Sequence, residues 1–260
     1  MAEIRFDDGA AYERMMGVWS RLAGDVFLDW LGPKPNLTWL DVGCGNGAFS
    51  ELIVTRAKAA TVHGIDPSEG QLSFARTRPH ADKMQLRQVV ATELPYGDDT
   101  FDAAVMALVL FFVPDPAKGV AEMARVVKPG GSVSAYAWDI LGGGFPQERV
   151  FNALRAMGHT PTQPPSSDAS RREAMDALWR GAGLVDVETR VITVERTYDS
   201  FDDLWGTLMT SPSVKASMAK MSPTQGEELK DRVRSAFPAA ADGRITYPAW
   251  ANAVKGRVAG

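Results

Sequence analysis

The densest chemical signal in the chain is Trp39-Leu40-Asp41-Val42-Gly43-Cys44-Gly45-Asn46-Gly47, an apolar run that breaks into glycines just before an amphipathic stretch. Glycines at such a turn let the backbone approach a ligand closely and take conformations closed to other residues. The spacing is Gly-x-Gly-x-Gly; in a dinucleotide fingerprint the third glycine comes one position later, which here is Ala48. Asp41, immediately before the turn, would repel a pyrophosphate and suits positively charged groups such as a sulfonium or an amine. A second acid, Asp66, ends the next apolar run, placed to accept hydrogen bonds from both hydroxyls of a ribose. A nicotinamide dinucleotide would use that acid in the same way. Asp66 therefore points to a nucleoside, and Asp41 argues for which one.

These residues act together only on a scaffold that gathers strand ends. From Leu37 short apolar runs alternate with longer amphipathic stretches, the pattern of βαβ units with helices on both faces of a parallel sheet. Strands are predicted over 38–42, 61–66, 84–90, 101–108 and 132–138, with helices over 47–58, 67–77 and 116–127. Ahead of this core, 10–31 reads as one or two amphipathic helices. Behind it come a short helix over 146–157, a helix over 171–180, a strand over 185–194, helices over 201–209 and 227–237, and a closing strand over 244–254. Gly142-Gly143-Gly144 and the stretch 160–167 read as flexible joints around the short helix.

Composition narrows the function classes. With 260 residues, 45% apolar and 23% charged, the chain can bury one large core. Lys plus Arg total 28 against 32 acids, so the net charge of −4 gives no general attraction for nucleic acid. A single cysteine, Cys44, excludes an intrachain disulfide framework and fits a reducing cytoplasm; with only three histidines, no metal site is expected. Acids at the start of the sequence argue against an export signal, and the longest apolar run, 103–113, is too short to cross a bilayer. The expected protein is cytoplasmic, with no membrane and no nucleic-acid partner. Its oligomeric state is not legible.

Four blocks stand in order: 40–47; Gly64-Ile65-Asp66-Pro67-Ser68; Glu93-Leu94-Pro95-Tyr96 through Phe101-Asp102; and Arg125-Val126-Val127-Lys128-Pro129-Gly130-Gly131. Together they resemble the class I S-adenosylmethionine-dependent methyltransferases, in the type 11 branch that includes ubiquinone/menaquinone C-methyltransferase-like proteins. The resemblance covers the core from Leu37 to Trp138. It implies an α/β, doubly wound, Rossmann-like sheet of seven strands, mostly parallel with an antiparallel last strand, under an N-terminal helical lid and with helical insertions after strands five and six. One domain is expected over 1–260: the lid at 1–36, the cofactor core at 37–138, and acceptor-shaping insertions with the C-terminal strands at 139–260.

The resemblance also assigns residues. Asp41 and the backbone of Gly43, Cys44 and Gly45 would serve the methionine moiety, Asp66 the ribose, and Pro67 and Gln71 the adenosine. The family's usual Asp-Ala pair before the Leu-Pro block, where the Asp bonds the adenine amino group, is Val90-Ala91 here. One expected hydrogen bond is missing, worth about 1 kcal/mol, and Thr92 is the nearby substitute. Leu108 would lie beside the methyl group, while Tyr12, Trp19 and Ser20 of the lid would touch the cofactor. Many relatives carry a polar residue at Phe111 or Phe112; this chain has none. The Asn/Asp-Pro-Pro-aromatic signature of nucleobase amino methylation is absent at 113–116.

The function expected is methyl transfer from S-adenosylmethionine to a small, partly hydrophobic acceptor by in-line displacement, with S-adenosylhomocysteine as product. Positioning and water exclusion carry such a reaction, and a base is needed only if the acceptor must lose a proton. Tyr136, Asp139 and His159 are the candidate bases, and no catalytic residue is assigned. Two alternatives remain: a non-catalytic cofactor-binding regulator, and an NAD-dependent oxidoreductase, which leaves Asp41 and the later blocks unexplained.

Overall fold

A computed structural model describes residues 13–260. Seven strands form one sheet in the order β3-β2-β1-β4-β5-β7-β6: β1 (Thr38–Val42), β2 (Thr61–Asp66), β3 (Met84–Gln88), β4 (Phe101–Ala107), β5 (Val127–Trp138), β6 (Val185–Tyr198) and β7 (Ile245–Arg257). Strands β1 to β5 pair in parallel, and β7 runs antiparallel between β5 and β6. The central strands are nearly continuous apolar runs because helices cover both their faces. In β4 every residue except Asp102 and Ala107 is buried. Strand order reverses between β1 and β4, and open α/β sheets bind ligands beyond the carboxyl ends of the strands at that point.

Helix α1 (Val18–Leu31) lies across β6 and β7 and against α2 (Ala48–Thr55). Its Phe27 meets Tyr136 of β5 at 4.6 Å between ring centroids, and Phe49 of α2 closes on the same ring at 5.6 Å. Gly32, at φ 55°, ends α1 in the left-handed conformation. Helix α3 (Glu69–Ala75) is capped by Ser68, and α4 (Pro116–Val126) by Asp115 with Pro116 in its first turn. Next comes α5 (Glu148–Ala156), then α6 (Arg172–Gly181), whose buried Trp179 Nε1 donates to the Val133 carbonyl at 2.9 Å. A Cβ on Gly256, which pairs with Val133, would stand 3.0 Å from Trp179, so α6 covers the face of residue 133; residue 136, an odd number away, faces α1 on the other side.

The later chain departs from the sequence reading. β5 begins at Val127, five residues early, because Val127 already pairs with Phe101; after an irregularity the pairing with β4 resumes at Ser132 opposite Ala103. After α7 (Phe201–Leu208) comes a helix the periodicity did not announce, α8 (Pro212–Met218). The following α9 (Pro223–Ala236) starts four residues early, where Ser222 and Gln225 form a reciprocal capping box over Pro223. Both expected joints make defined contacts. Gly144 donates to the Asp139 carbonyl and accepts from Trp250 N at 3.0 Å, and a Cβ on it would stand 2.2 Å from the Trp250 oxygen. Ser166 N donates to the Phe111 carbonyl at 3.0 Å and its hydroxyl to Val113 O at 2.7 Å. Gly144 is thus tied to β7 and Ser166 to the segment that follows β4. Among the described residues no helix is long and apolar enough to cross a membrane.

Candidate functional site

The turn after β1 has the backbone that its glycines permit, with φ at +76°, +53° and +78° for Gly43, Gly45 and Gly47. Gly43 has a second reason to be glycine: a Cβ there would stand 2.5 Å from Val109 Cγ1, just past the end of β4. The Gly43 and Cys44 amides both donate to the Ile65 carbonyl, at 2.7 and 2.9 Å, which sews the turn to the end of β2. Those two N–H groups are thus committed, while the Gly45 amide turns to Asp66. Cys44 is buried against Gly64, where a Cβ would lie 2.9 Å from Sγ. Burial pushes its thiol well above the ordinary value, so it is a packing residue and no nucleophile.

Asp66 is held from two sides. Gly45 N donates to Oδ2 at 3.0 Å and Ser68 N to Oδ1 at 2.9 Å, and each oxygen keeps a further lone pair. Burial raises its carboxyl above the usual range, and the two amides oppose that rise. Gln71, 4% exposed, puts Oε1 4.0 Å from the Cβ position of Gly45. Val89 N donates to the Asp66 carbonyl at 3.2 Å, so Val90, 49% exposed, follows directly beside the end of β2, with Ala91 and Thr92 half-buried after it. Pro67 is exposed, and its carbonyl accepts from Gln88 Nε2 at 2.9 Å. Gly45, Asp66, Gln71 and Val90 are brought together.

Asp41 lies beneath the turn, fully buried. One oxygen accepts from Ser50 Oγ at 2.6 Å, and the other, Oδ1, has no partner among the described residues. Burial pushes this carboxyl up to about 7, against the lowering effect of Ser50 and with a small push from Asp66.

An apolar pocket opens at the end of β4. Leu108 lines it with φ at +62°, a conformation rare outside glycine, and its amide donates to Tyr136 O at 2.8 Å. Met15 and Met16 form one wall; Phe111, Phe112, Trp138, Phe145 and Phe151 form others. Its polar groups include Gln147, which accepts from Ser211 at 3.0 Å, and Glu148, which pairs with Arg155. None of the three bases expected from sequence lines it. Tyr136 is buried among Phe27 and Phe49, Asp139 accepts the Gly142 amide at 2.9 Å, and His159 stands just beyond α5. Glu148 was missed; an acid in the first turn of the expected helix was its only signal.

Of the lid residues, Tyr12 lies outside the described residues. Trp19 packs among Trp138, Tyr198 and Tyr247 and donates to Tyr198 Oη at 3.3 Å, so its contacts are with β5, β6 and β7. Ser20 is buried. Among the described N-terminal residues, Glu13 meets the glycine turn: it accepts from Asn46 Nδ2 at 2.9 Å and pairs with Arg78 at 2.5 Å. Neither Glu13 nor Arg78 carries a sequence signal. Among the described residues no three His, Cys, Asp or Glu side chains are placed to hold a metal.

The fold and the turn define a class, and comparison with known proteins agrees with it. Residues 40–135 match the family model described as methyltransferase domain. The malonyl-[acyl-carrier protein] O-methyltransferase of Methylococcus capsulatus is 32% identical over 201 residues, covering 76% of this chain and 68% of that protein. The demethylmenaquinone methyltransferase of Desulfitobacterium hafniense is 41% identical over 105 residues, 38% of this chain and 42% of its own length. In fold alone, the chain resembles Haemonchus contortus phosphoethanolamine N-methyltransferase 2 solved with S-adenosyl-L-methionine, at TM-score 0.59 and 19% identity, over 96% of this chain and 56% of that one. The chain belongs to the class I S-adenosylmethionine-dependent methyltransferases, in the type 11 branch.

Proposed function

We propose that this methyltransferase holds the nucleoside of its cofactor at Gly45, Asp66 and Gln71 and methylates a small, partly hydrophobic acceptor in the pocket at the end of β4. The observation that carries the reading is the contiguity of the two sites: Val109 packs on Gly43, and Leu108, its chain neighbour, lines the pocket. When bound, the cofactor supplies an electrophilic methyl group on a positively charged sulfur. The residues present fit such a group, since one buried Asp41 oxygen has no partner among the described residues and the turn carries no side chain at Gly43, Gly45 and Gly47. Asp66, held by two amides, presents its remaining lone pairs to the ribose hydroxyls. Pro67, Ala91 and Thr92 border the adenosine. The aromatic walls exclude water and orient the acceptor for in-line attack, the source of rate in a displacement that needs no covalent enzyme intermediate.

Where the acceptor nucleophile carries a proton, Glu148, a pocket-lining carboxylate paired with Arg155, is positioned to accept it. The relatives named above act on different acceptors, and the quinone enzyme matches over less than half its length, so neither acceptor is transferred to this chain. The segment 139–260 supplies much of the pocket wall, consistent with an acceptor-shaping role. Calorimetric titration with S-adenosylhomocysteine, with NAD for comparison, tests the cofactor site. Micromolar binding lost in Asp66→Ala supports it and justifies an acceptor screen; no binding, or preference for NAD, sinks it.

A further inference from the structure

Arg78 lies in none of the sequence blocks, yet its guanidinium joins three parts of the chain around the glycine turn. Its Nε donates to the Asn46 carbonyl at 2.5 Å, one terminal nitrogen bonds Glu51 at 3.0 Å, and the other bonds Glu13 at 2.5 Å. Asn46 Nδ2 donates to that same Glu13 oxygen. The Arg78 side chain is 8% exposed, stacks 5.6 Å over the Phe74 ring, and passes where a Cβ on Gly47 would lie 3.3 Å from Cδ. An exposed ion pair would contribute little. This cation is nine-tenths buried, and removing Glu13 takes away a partner that ties the turn Glu13–Gly17 to the glycine loop.

Glu13 reaches the junction because its own turn makes room. Residues Glu13–Gly17 form one π-helical turn, a geometry that concentrates at functional sites. A Cβ on Gly17 would stand 2.7 Å from Glu13 Cδ, so a side chain there displaces the carboxylate. Between them, Met15 and Met16 line the acceptor pocket, and Arg196 donates to the Met15 carbonyl at 3.4 Å. One turn thus touches the glycine loop with its first residue and forms the pocket wall with its third and fourth.

We propose that Glu13 and Arg78 are positioning residues: their pair holds the turn Glu13–Gly17 down on the glycine loop, governs how fast cofactor exchanges, and sets the Met15–Met16 wall in place. The inference rests on the reading that the cofactor lies at Gly45 and Asp66. Cofactor exchange then requires the pair to open, and the acceptor pocket is complete only when it is closed.

The test is stopped-flow displacement of S-adenosylhomocysteine, with hydrogen exchange of the amides of residues 15–20 in ligand-free protein, for wild type, Glu13→Ala, Glu13→Gln and Gly17→Ala. Dissociation is expected to accelerate about tenfold in Glu13→Ala and Gly17→Ala, with Glu13→Gln between because it keeps a partner for Asn46. Exchange should rise over 15–20 and stay unchanged in the sheet. A purely structural role would lower the melting temperature and leave the dissociation rate alone. Dissociation within about twofold of wild type in Glu13→Ala overturns the proposal. Failure of the wild type to bind overturns the site reading and the proposal together, whereas normal binding with unchanged Glu13→Ala kinetics removes the proposal alone.

Discussion

Ser50 Oγ donates to Asp41 Oδ2 at 2.6 Å, reaching from the first turn of α2 back to the last residues of β1. The bond spans the glycine turn from below. It fixes one carboxylate oxygen and leaves the other buried without a partner among the described residues. A carboxyl so placed is costly to ionise, and a positive charge bound above it reduces that cost.

The first prediction concerns pH. The Asp41 carboxyl lies at about 7 in the folded chain against 3.8 when exposed, so the folded state holds its proton more tightly. Stability of the ligand-free protein is therefore greatest below about pH 4 as far as this group is concerned, and falls as pH rises toward 7, by about 4 kcal/mol at most. Asp41→Asn should flatten that part of the pH profile in urea titrations. S-adenosylmethionine binding near pH 7 should release a proton in wild type, seen as a buffer-dependent calorimetric heat, and none in the variant. Equal profiles would show that Asp41 is already ionised.

Gly43→Ala should destabilise the chain by about 3 kcal/mol, combining a left-handed backbone with the clash against Val109. Adding Val109→Ala removes the clash and leaves the backbone term, so the double variant should be more stable than the sum of the singles. A denaturant double-mutant cycle reads this directly. Strict additivity would mean that β4 does not press on the turn.

Val90 is half exposed beside the end of β2, so Val90→Asp leaves the core intact and adds an acceptor where the base ring would lie. Binding of S-adenosylhomocysteine should tighten about fivefold, and binding of its deaminated analogue S-inosylhomocysteine should not, because only the former carries the amino donor. Parallel calorimetric titrations separate the two cases. Equal changes would move the base elsewhere.

Glu148→Gln should lower kcat by about a hundredfold for an acceptor that loses a proton. With a nucleophile that carries no proton to lose, the rate should be unchanged. A kcat within about threefold of wild type for the proton-losing acceptor assigns the proton to another group.

The centre of the fold was legible because buried parallel strands advertise themselves. β1 and β2 ran over the expected residues, since apolar runs ending at Gly43 and Asp66 leave little choice of boundary. Beyond β5 the signals became local and partial: Gly142 to Gly144 look like a hinge until the backbone of Trp250 closes on them. Contacts such as Glu13 with Arg78 join residues 65 positions apart, and no spacing rule reaches that far. The site followed the same division. Glycines and Asp66 were readable from residue type, whereas the commitment of the Gly43 and Cys44 amides to Ile65 depends on how two strand ends meet.

The placement of β7 has a consequence for the order of assembly. Among the described residues β6 pairs only with β7, and β7 fills the space beside β5, so the last strand in sequence sits inside the sheet. While the chain emerges from the ribosome, strands β1 to β5 can pair as they appear, but β6 must wait with both edges open until residue 257 is made. Chaperone dependence and proteolytic vulnerability of nascent chains should therefore centre on 185–198 and vanish once the final strand slots in.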